Sequence, residues 1–435
     1  MSNIDLPDKP HVLFINYYFP PMGGGGVQRI VKFMKYHDRS RFKATVLTVK
    51  PSFFYSEDST LQQELPDDLE VIYSGSLDPF RLLKLLKRDG QISAPANESG
   101  GALRKIASWL FIPDSRILWL PFAVLAIWRQ NKKEPIDLMV ASLPPFTSGL
   151  IARVAARLFN IRYIIDYRDS WTDNPYLPSP GKIHARINEF LENSVIKRAS
   201  GFIFVNPYLN RRYRRRYRVM SERPMVTLRN GFDPQDFSSV HSNISDGPFT
   251  LCIMGTVYSQ GNQPTTLIKA IELLLDDDPD LARQFKLRII GKWVPEFREL
   301  AEKSRAAGVI EWTSYLPHKI ALQEASKAHA LALTLESNLS GSSMVTPGRI
   351  YEYLRLKRPI LAMCNQKGDL ADLIRNSNSG VVFHSEDVES IAHQIKLWIH
   401  APEEMQRFTY KGLDAFSRKN QAGELDDFIC EILEA

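Results

Sequence analysis

The chain has 435 residues, 44% hydrophobic and 24% charged, and carries a formal charge of +6. That length exceeds the roughly 250–300 residues at which one core stops growing, so two domains are expected; the balance excludes a disordered polyelectrolyte, and a small, dispersed positive charge gives no argument for nucleic acid as a partner. Cys252, Cys364 and Cys430 lie far apart without a CxxC, residues 1–10 are too polar for a signal peptide, and no run reaches the roughly 20 apolar residues that span a bilayer, so a cytoplasmic, reduced protein is expected.

Residues 12–17 read as a short buried strand. The pattern breaks at Pro20 and Pro21, passes through Gly23, Gly24, Gly25 and Gly26, and resumes at helical spacing with Val27, Ile30, Val31 and Met34 on one face. Strand, glycine loop, helix is the order that offers unpaired backbone N–H groups to an anion. Each glycine costs about 0.5–1 kcal/mol relative to Ala in a regular element, so four together belong in a loop. No Gly-Lys-Ser/Thr follows, which excludes a Walker A motif, and the register is not GxGxxG. Further strands are expected at 44–49, 138–142, 163–166, 203–205 and 226–228, with an Ala- and Leu-rich helix reaching Phe159. Between them, residues 77–128 mix bulky apolar side chains (Leu82, Leu83, Trp109, Trp119, Ile127) with lysines and arginines. Such helices either cover the sheet or lie in a membrane interface.

A polar stretch at 238–248 reads as an interdomain connection, after which the series restarts with strands at 251–254, 285–290, 330–335 and 360–363. Helices are expected at 265–275 and 350–356, and the tail 402–433 is helical in pattern. Both halves therefore predict a mostly parallel sheet covered by helices.

Ligands of parallel sheets collect at the C-terminal ends of the strands, which directs attention to the residues there. Asp166, Arg168 and Asp169 follow one strand; they form either a local ion-pair network or a group in which a carboxylate meets an acceptor or a developing charge. Gly255 and Thr256 follow the first strand of the second half, and Lys292 follows another. Ser343, Thr346, Gly348 and Arg349 precede or open a helix, where hydroxyls, free N–H groups and a bidentate guanidinium suit a diphosphate. Glu352 lies in the first turn, where it either caps the helix or accepts bonds from two ribose hydroxyls. The arginine-rich run 211–218 is expected as a solvated face, and the histidines show no zinc-binding spacing, so no metal is expected.

In order, the segments NYYFPPMGGGGVQR, PDSRILWLPFA, SLPPFTSG, IIDYRDSWTDNPY, LRNGFD, MGTVY and TPGRIYEYLRLKRPILAM resemble the retaining, nucleotide-sugar-dependent glycosyltransferases of family 4, in a branch found in bacterial polysaccharide synthesis. The resemblance implies the GT-B fold: an α/β chain of two Rossmann-like domains facing across a cleft. With the composition breaks, it places an acceptor-side domain at 1–237, a nucleotide-sugar domain at 238–408 and a helix at 409–435 near the junction. It further implies a nucleoside diphosphate sugar as donor, UDP-sugar ahead of GDP-sugar, without a separate cofactor. The acceptor is expected to be a carbohydrate or lipid-linked carbohydrate, at the inner face of a membrane. Gly24 and Gly25 match the family's N-terminal loop near sugar and diphosphate, Glu352 its ribose-binding glutamate, and Arg349 a phosphate-facing position. Asp166 lies where better-known members carry a histidine. Two positions depart from the pattern: Met344 stands where a first glutamate is usual, and Tyr258, Ser259, Gln260, Gly261 and Asn262 replace a loop that usually holds an Arg and a Lys. The alternatives are an epimerase or hydrolase of the same fold, or a non-catalytic subunit of a polysaccharide assembly complex.

Overall fold

The computed structural model describes residues 9–51, 58, 60–77, 111–174, 180–241, 244, 246–258, 261–313 and 316–435. Much of the apolar and basic stretch expected either to cover the sheet or to lie in a membrane interface, including Leu82, Leu83 and Trp109, lies outside them, as do Ser259 and Gln260. The chain forms two compact units, one comprising residues 1–230 and 418–435 and the other 231–417. The polar connection expected at 238–248 thus lies inside the second unit, and the chain passes between units at 230/231 and again at 417/418.

Among the described residues, the first unit has seven parallel strands: β1 (His11–Ile15), β2 (Lys43–Val49), β3 (Glu70–Ser74), β4 (Leu138–Leu143), β5 (Arg162–Tyr167), β6 (Gly201–Phe204) and β7 (Met225–Thr227). Their order is β3-β2-β1-β4-β5-β6-β7. All residues of β1 and β4 are buried, the near-continuous apolar reading of strands covered on both faces. The direction of strand progression reverses between β1 and β4, and a crevice for ligand opens at such a switch point. Helix α1 (Gly25–Tyr36) follows β1. Helices α2 (Leu120–Lys133) and α3 (Thr147–Phe159) pack on each other, with α2 also against β2 and β3. Trp119, just before α2, is fully buried and donates from Nε1 to Ser74 Oγ at 2.7 Å. The described part of the 77–128 region therefore covers the sheet, although Leu125 and Trp128 point outward.

The second unit repeats the plan with β8 (Phe249–Met254), β9 (Phe285–Ile290), β10 (Ile310–Thr313), β11 (Ala330–Thr334), β12 (Ile360–Met363) and β13 (Gly380–Phe383), all parallel in the order β10-β9-β8-β11-β12-β13. This is the dinucleotide-fold order, with its switch point between β8 and β11.

The tail differs from the continuous helix expected. Residues 402–407 and 413–416 form separate 3-10 turns, broken at Gly412, whose φ of +69° stops a helix. Only Arg418–Glu434 is α-helical (α12). It belongs to the first unit's core, where Leu425, Phe428, Ile429 and Ile432 meet Phe14, Ile30, Phe33 and Ile203. A Cβ on Gly201 would stand 2.9 Å from Ile432 and 3.0 Å from Phe428, so the glycine makes room for α12. Arg162 closes the helix end by donating to the carbonyls of Ile432 and Leu433 at 2.7 and 3.0 Å.

Candidate active site

Glycine 24 has a φ of +107°, a conformation that disfavours any side chain, and it sets the start of α1. Gly24 and Gly25 are exposed, and a Cβ on either would meet nothing within 4 Å. No side chain caps α1 and its first turn holds no acid, so its positive end is left to solvent or ligand. Gly26 faces the other way: the guanidinium of Arg168 occupies the place a Cβ would take, so a side chain there would have to displace it. The glycine loop and the end of β5 are thereby one local structure.

Below them, Arg29 of α1 is buried and grips Asp166 of β5 with two bonds, Nη2 to Oδ1 at 3.0 Å and Nε to Oδ2 at 3.3 Å. Arg29 Nη1 also donates to the Arg229 carbonyl at 3.1 Å, and Ser142 Oγ donates to Asp166 Oδ2 at 2.9 Å. Asp166 is only 5% exposed, and its geometry is that of the ion-pair network. Composition and spacing assign Arg29 no role; the one signal it carries is a charge on the apolar face it shares with Ile30 and Phe33.

Arg168 donates to the Pro144 carbonyl, and burial pulls its guanidinium below the usual value. Asp169, one residue on, reaches the surface. Desolvation pushes its carboxyl up to about 6 while Arg168 draws it down; contact with water limits that shift. Asp114, of the PDSR segment, accepts the Thr147 N–H at 3.0 Å and its hydroxyl at 2.8 Å, fixing the start of α3 beside the same strand ends. The arginine run is not simply a solvated face. Arg212 and Arg216 donate to Asp173 at 2.8 and 3.0 Å, outweighing burial and holding its carboxyl below the ordinary range.

In the second unit, Gly255 follows β8 with a φ of +108°. Arg349, first residue of α9 (Arg349–Leu356), spans the backbone there, donating from Nη1 to the Met254 carbonyl and from Nη2 to the Thr256 carbonyl, both at 3.0 Å. Two of its nitrogens thus brace the loop. Gly291, at the end of β9, has a φ of +131°, and a Cβ on it would stand 2.5 Å from the Gly255 carbonyl oxygen. Lys292 follows, exposed. Thr346 donates its hydroxyl to Asp369 at 2.5 Å; Ser343 packs by its backbone on Gly368, and Gly348 is exposed just before α9. Glu352 Oε1 lies 2.8 Å from His318 Nε2, and His318 Nδ1 lies 3.9 Å from Asp236. His318 was not singled out from the sequence, because nothing in its spacing marks it. Among the described residues, no group of three or more His, Cys, Asp or Glu side chains is placed to hold a metal.

The family model for the glycosyl transferase 4-like domain matches residues 24–231, and that for glycosyl transferases group 1 matches 234–414. Among curated proteins, no sequence matches the chain. Solved structures share its fold. Sucrose-phosphate synthase from Thermosynechococcus elongatus aligns at a TM-score of 0.63 and 13% identity, over 98% of this chain and 100% of the other. WaaG, a glycosyltransferase involved in lipopolysaccharide biosynthesis, aligns at 0.59 and 15%, over 95% and 99%. S. aureus MnaA in complex with UDP aligns at 0.53 and 11%, over 97% and 96%. Two parallel-sheet units, each matched by a glycosyltransferase model, make this chain a glycosyltransferase of the GT-B fold, with a 4-like domain first and a group 1 domain second.

Proposed function

We propose that the enzyme is a retaining glycosyltransferase that moves a sugar from a nucleoside diphosphate sugar, UDP ahead of GDP, to a hydroxyl of a carbohydrate or lipid-linked carbohydrate acceptor in cell-surface polysaccharide or glycolipid synthesis. The observation that carries this reading is the packing of Gly26 on Arg168, which joins an uncapped, acid-free helix start to the loop that carries the exposed Asp169. An anionic leaving group suits the first, an acceptor hydroxyl the second. In the step proposed, the bond from the anomeric carbon to the β-phosphate oxygen breaks, the acceptor oxygen bonds the same face, and its proton passes to the departing phosphate. Asp169 orients the acceptor hydroxyl, Arg168 and the Gly24 and Gly25 N–H groups offset charge, and Asp166 holds the strand end in register.

The second unit takes the donor. Glu352 accepts from the ribose hydroxyls with His318 behind it, and Gly255, Thr256, Lys292, Ser343, Thr346 and Gly348 surround the diphosphate, while Arg349, whose two Nη groups are taken by the Met254 and Thr256 carbonyls, holds that loop rather than forking onto phosphate. The structure of MnaA with UDP and the lipopolysaccharide role of WaaG support a sugar-nucleotide donor and a surface-glycan acceptor. Ile183, Ile187 and Phe190 form an exposed apolar stripe on one helix, flanked by Lys182, Arg186 and Lys197, which favours a cytoplasmic enzyme resting on the inner face of a membrane.

Incubation with UDP- and GDP-sugars, with and without lipid extract, tests the reading. The expected product retains the donor's anomeric configuration by NMR coupling. Turnover without any acceptor would replace the proposal with a hydrolase or epimerase, and inertness toward every donor, with partner binding intact, with a non-catalytic subunit. Failure to sediment with anionic liposomes would remove the membrane.

A further inference from the structure

The loop after β5 carries Arg168 and Asp169, and the four residues that follow are each fastened by side chains behind the sheet edge. At the centre is Glu192, on α4 (Lys182–Ile196), with no exposed surface. Its Oε1 accepts the Tyr213 hydroxyl at 2.5 Å, and Oε2 accepts Thr172 Oγ1 and the Tyr217 hydroxyl, both at 2.7 Å. Tyr213, on α5 (Pro207–Arg216), accepts the Trp171 N–H at 2.9 Å and lies 3.3 Å from Ser170 Oγ. Trp171 stacks on Phe146 with ring centroids 5.0 Å apart, and its Nε1 donates to Asn188 Oδ1 at 2.9 Å. Asp173 N–H donates to Ser170 Oγ at 3.2 Å.

A tyrosine hydroxyl has one proton. Because Tyr213 gives its proton to Glu192, it faces the loop as an acceptor only, and Ser170 must donate to it. The buried carboxylate therefore sets the direction of the Ser170–Tyr213 bond and leaves the Tyr213 oxygen to accept from the Trp171 N–H as well. Burial raises Glu192 above its ordinary value against the three hydroxyl donors that lower it, and burial beside that carboxylate raises Tyr213 well above its own, so the tyrosine keeps its proton.

We infer that Glu192 is a positioning residue, which acts through Tyr213 and Thr172 to fix the loop that presents Asp169 to the acceptor. This rests on the transfer reading above for its functional half and on the bond network alone for its structural half. A mere packing role would tolerate loss of one hydroxyl that leaves the ring in place; a positioning role would not.

The full-length chain is compared with Tyr213→Phe, which keeps the ring packed on Tyr167 and Phe204, and with Glu192→Gln, which keeps the side-chain volume. Backbone amide exchange at residues 169–173 is expected to rise about 10-fold in both variants. On the transfer reading kcat falls about 100-fold with donor KM unchanged, and the double variant is no worse than the poorer single one, because both cut one relay. Unchanged exchange at 169–173 overturns the inference whatever the rates. So does a donor KM that rises in step with the fall in kcat. A loop that loosens in both variants, in a protein whose parent turns over no sugar nucleotide, upholds the brace and sinks the transfer reading instead.

Discussion

At the strand ends of the first unit, side chains hold side chains: Arg29 grips Asp166 in a buried pair, and Glu192 gathers three hydroxyls. At the matching edge of the second unit, the backbone carries the load, with Arg349 spanning two carbonyls and Gly291 lying directly against Gly255. One topology has thus been closed by two chemistries. An edge pinned by buried charge is damaged by removing a group, because the partner is left unpaired. An edge closed by backbone contact is damaged by adding one.

The contrast breaks first, if it breaks at all, on Arg29→Ala. Removing one partner of a buried pair should cost about 3–5 kcal/mol, read from the urea midpoint of the intact chain; a loss below about 1 kcal/mol would mean that water reaches Asp166 and that the two edges are not different in kind. Gly291→Ala probes the other edge. Its positive φ and the contact with Gly255 predict a loss of about 3 kcal/mol, concentrated in the second unit by hydrogen exchange.

Asp169→Asn sharpens the functional side. Transfer should fall about 100-fold, equivalent to about 2.7 kcal/mol. Because desolvation raises the native carboxyl toward about 6 and contact with water limits that rise, the ionised form that the reaction uses is lost as pH falls below 6, so the wild-type rate should show an acid limb between about pH 4 and pH 6 that the variant lacks. The sign for stability is opposite. The native state holds its proton more tightly than the unfolded chain, so ionising Asp169 costs stability above about pH 6 and nothing below about pH 4. Asn should therefore raise the melting temperature at pH 7 and leave it unmoved at pH 4. The smallest effect is expected from Glu352→Ala, which should raise donor KM about tenfold with little change in the urea midpoint, and His318→Ala should do the same more weakly. A larger stability loss than affinity loss would assign that pair to packing.

Much of the fold was legible because the inner strands announce themselves: β1, β4, β8 and β12 are short, mostly apolar runs bounded by Gly, Pro or polar residues. Strands β3, β10 and β13 escaped because they lie at sheet edges, where half-buried sequences such as Ile310–Thr313 carry no continuous apolar signal. The glycine loop was legible as a site, since four glycines have few other uses. The partners were not. Nothing in the sequence says that Arg29 meets Asp166, 137 positions away, that Glu192 lies under Trp171 rather than on a solvated face, or that His318 reaches Glu352. Those pairings are made by topology, and periodicity carries no information on them. The arginine run shows the same limit: a pattern that spreads around a helix still sends Arg212 and Arg216 to one carboxylate.

The return of α12 to the first sheet carries a consequence for how the molecule is made. Synthesis delivers the seven strands of the first unit long before Leu425, Phe428 and Ile432, the side chains that fill their exposed face. During translation at about 5–20 residues per second, that face stays open for tens of seconds while the whole second unit emerges, and a nascent chain in this state offers Phe14, Ile30 and Phe33 to any chaperone that reads apolar surface. A nascent chain that stops just short of residue 418 would hold a complete second unit and an unfinished first one.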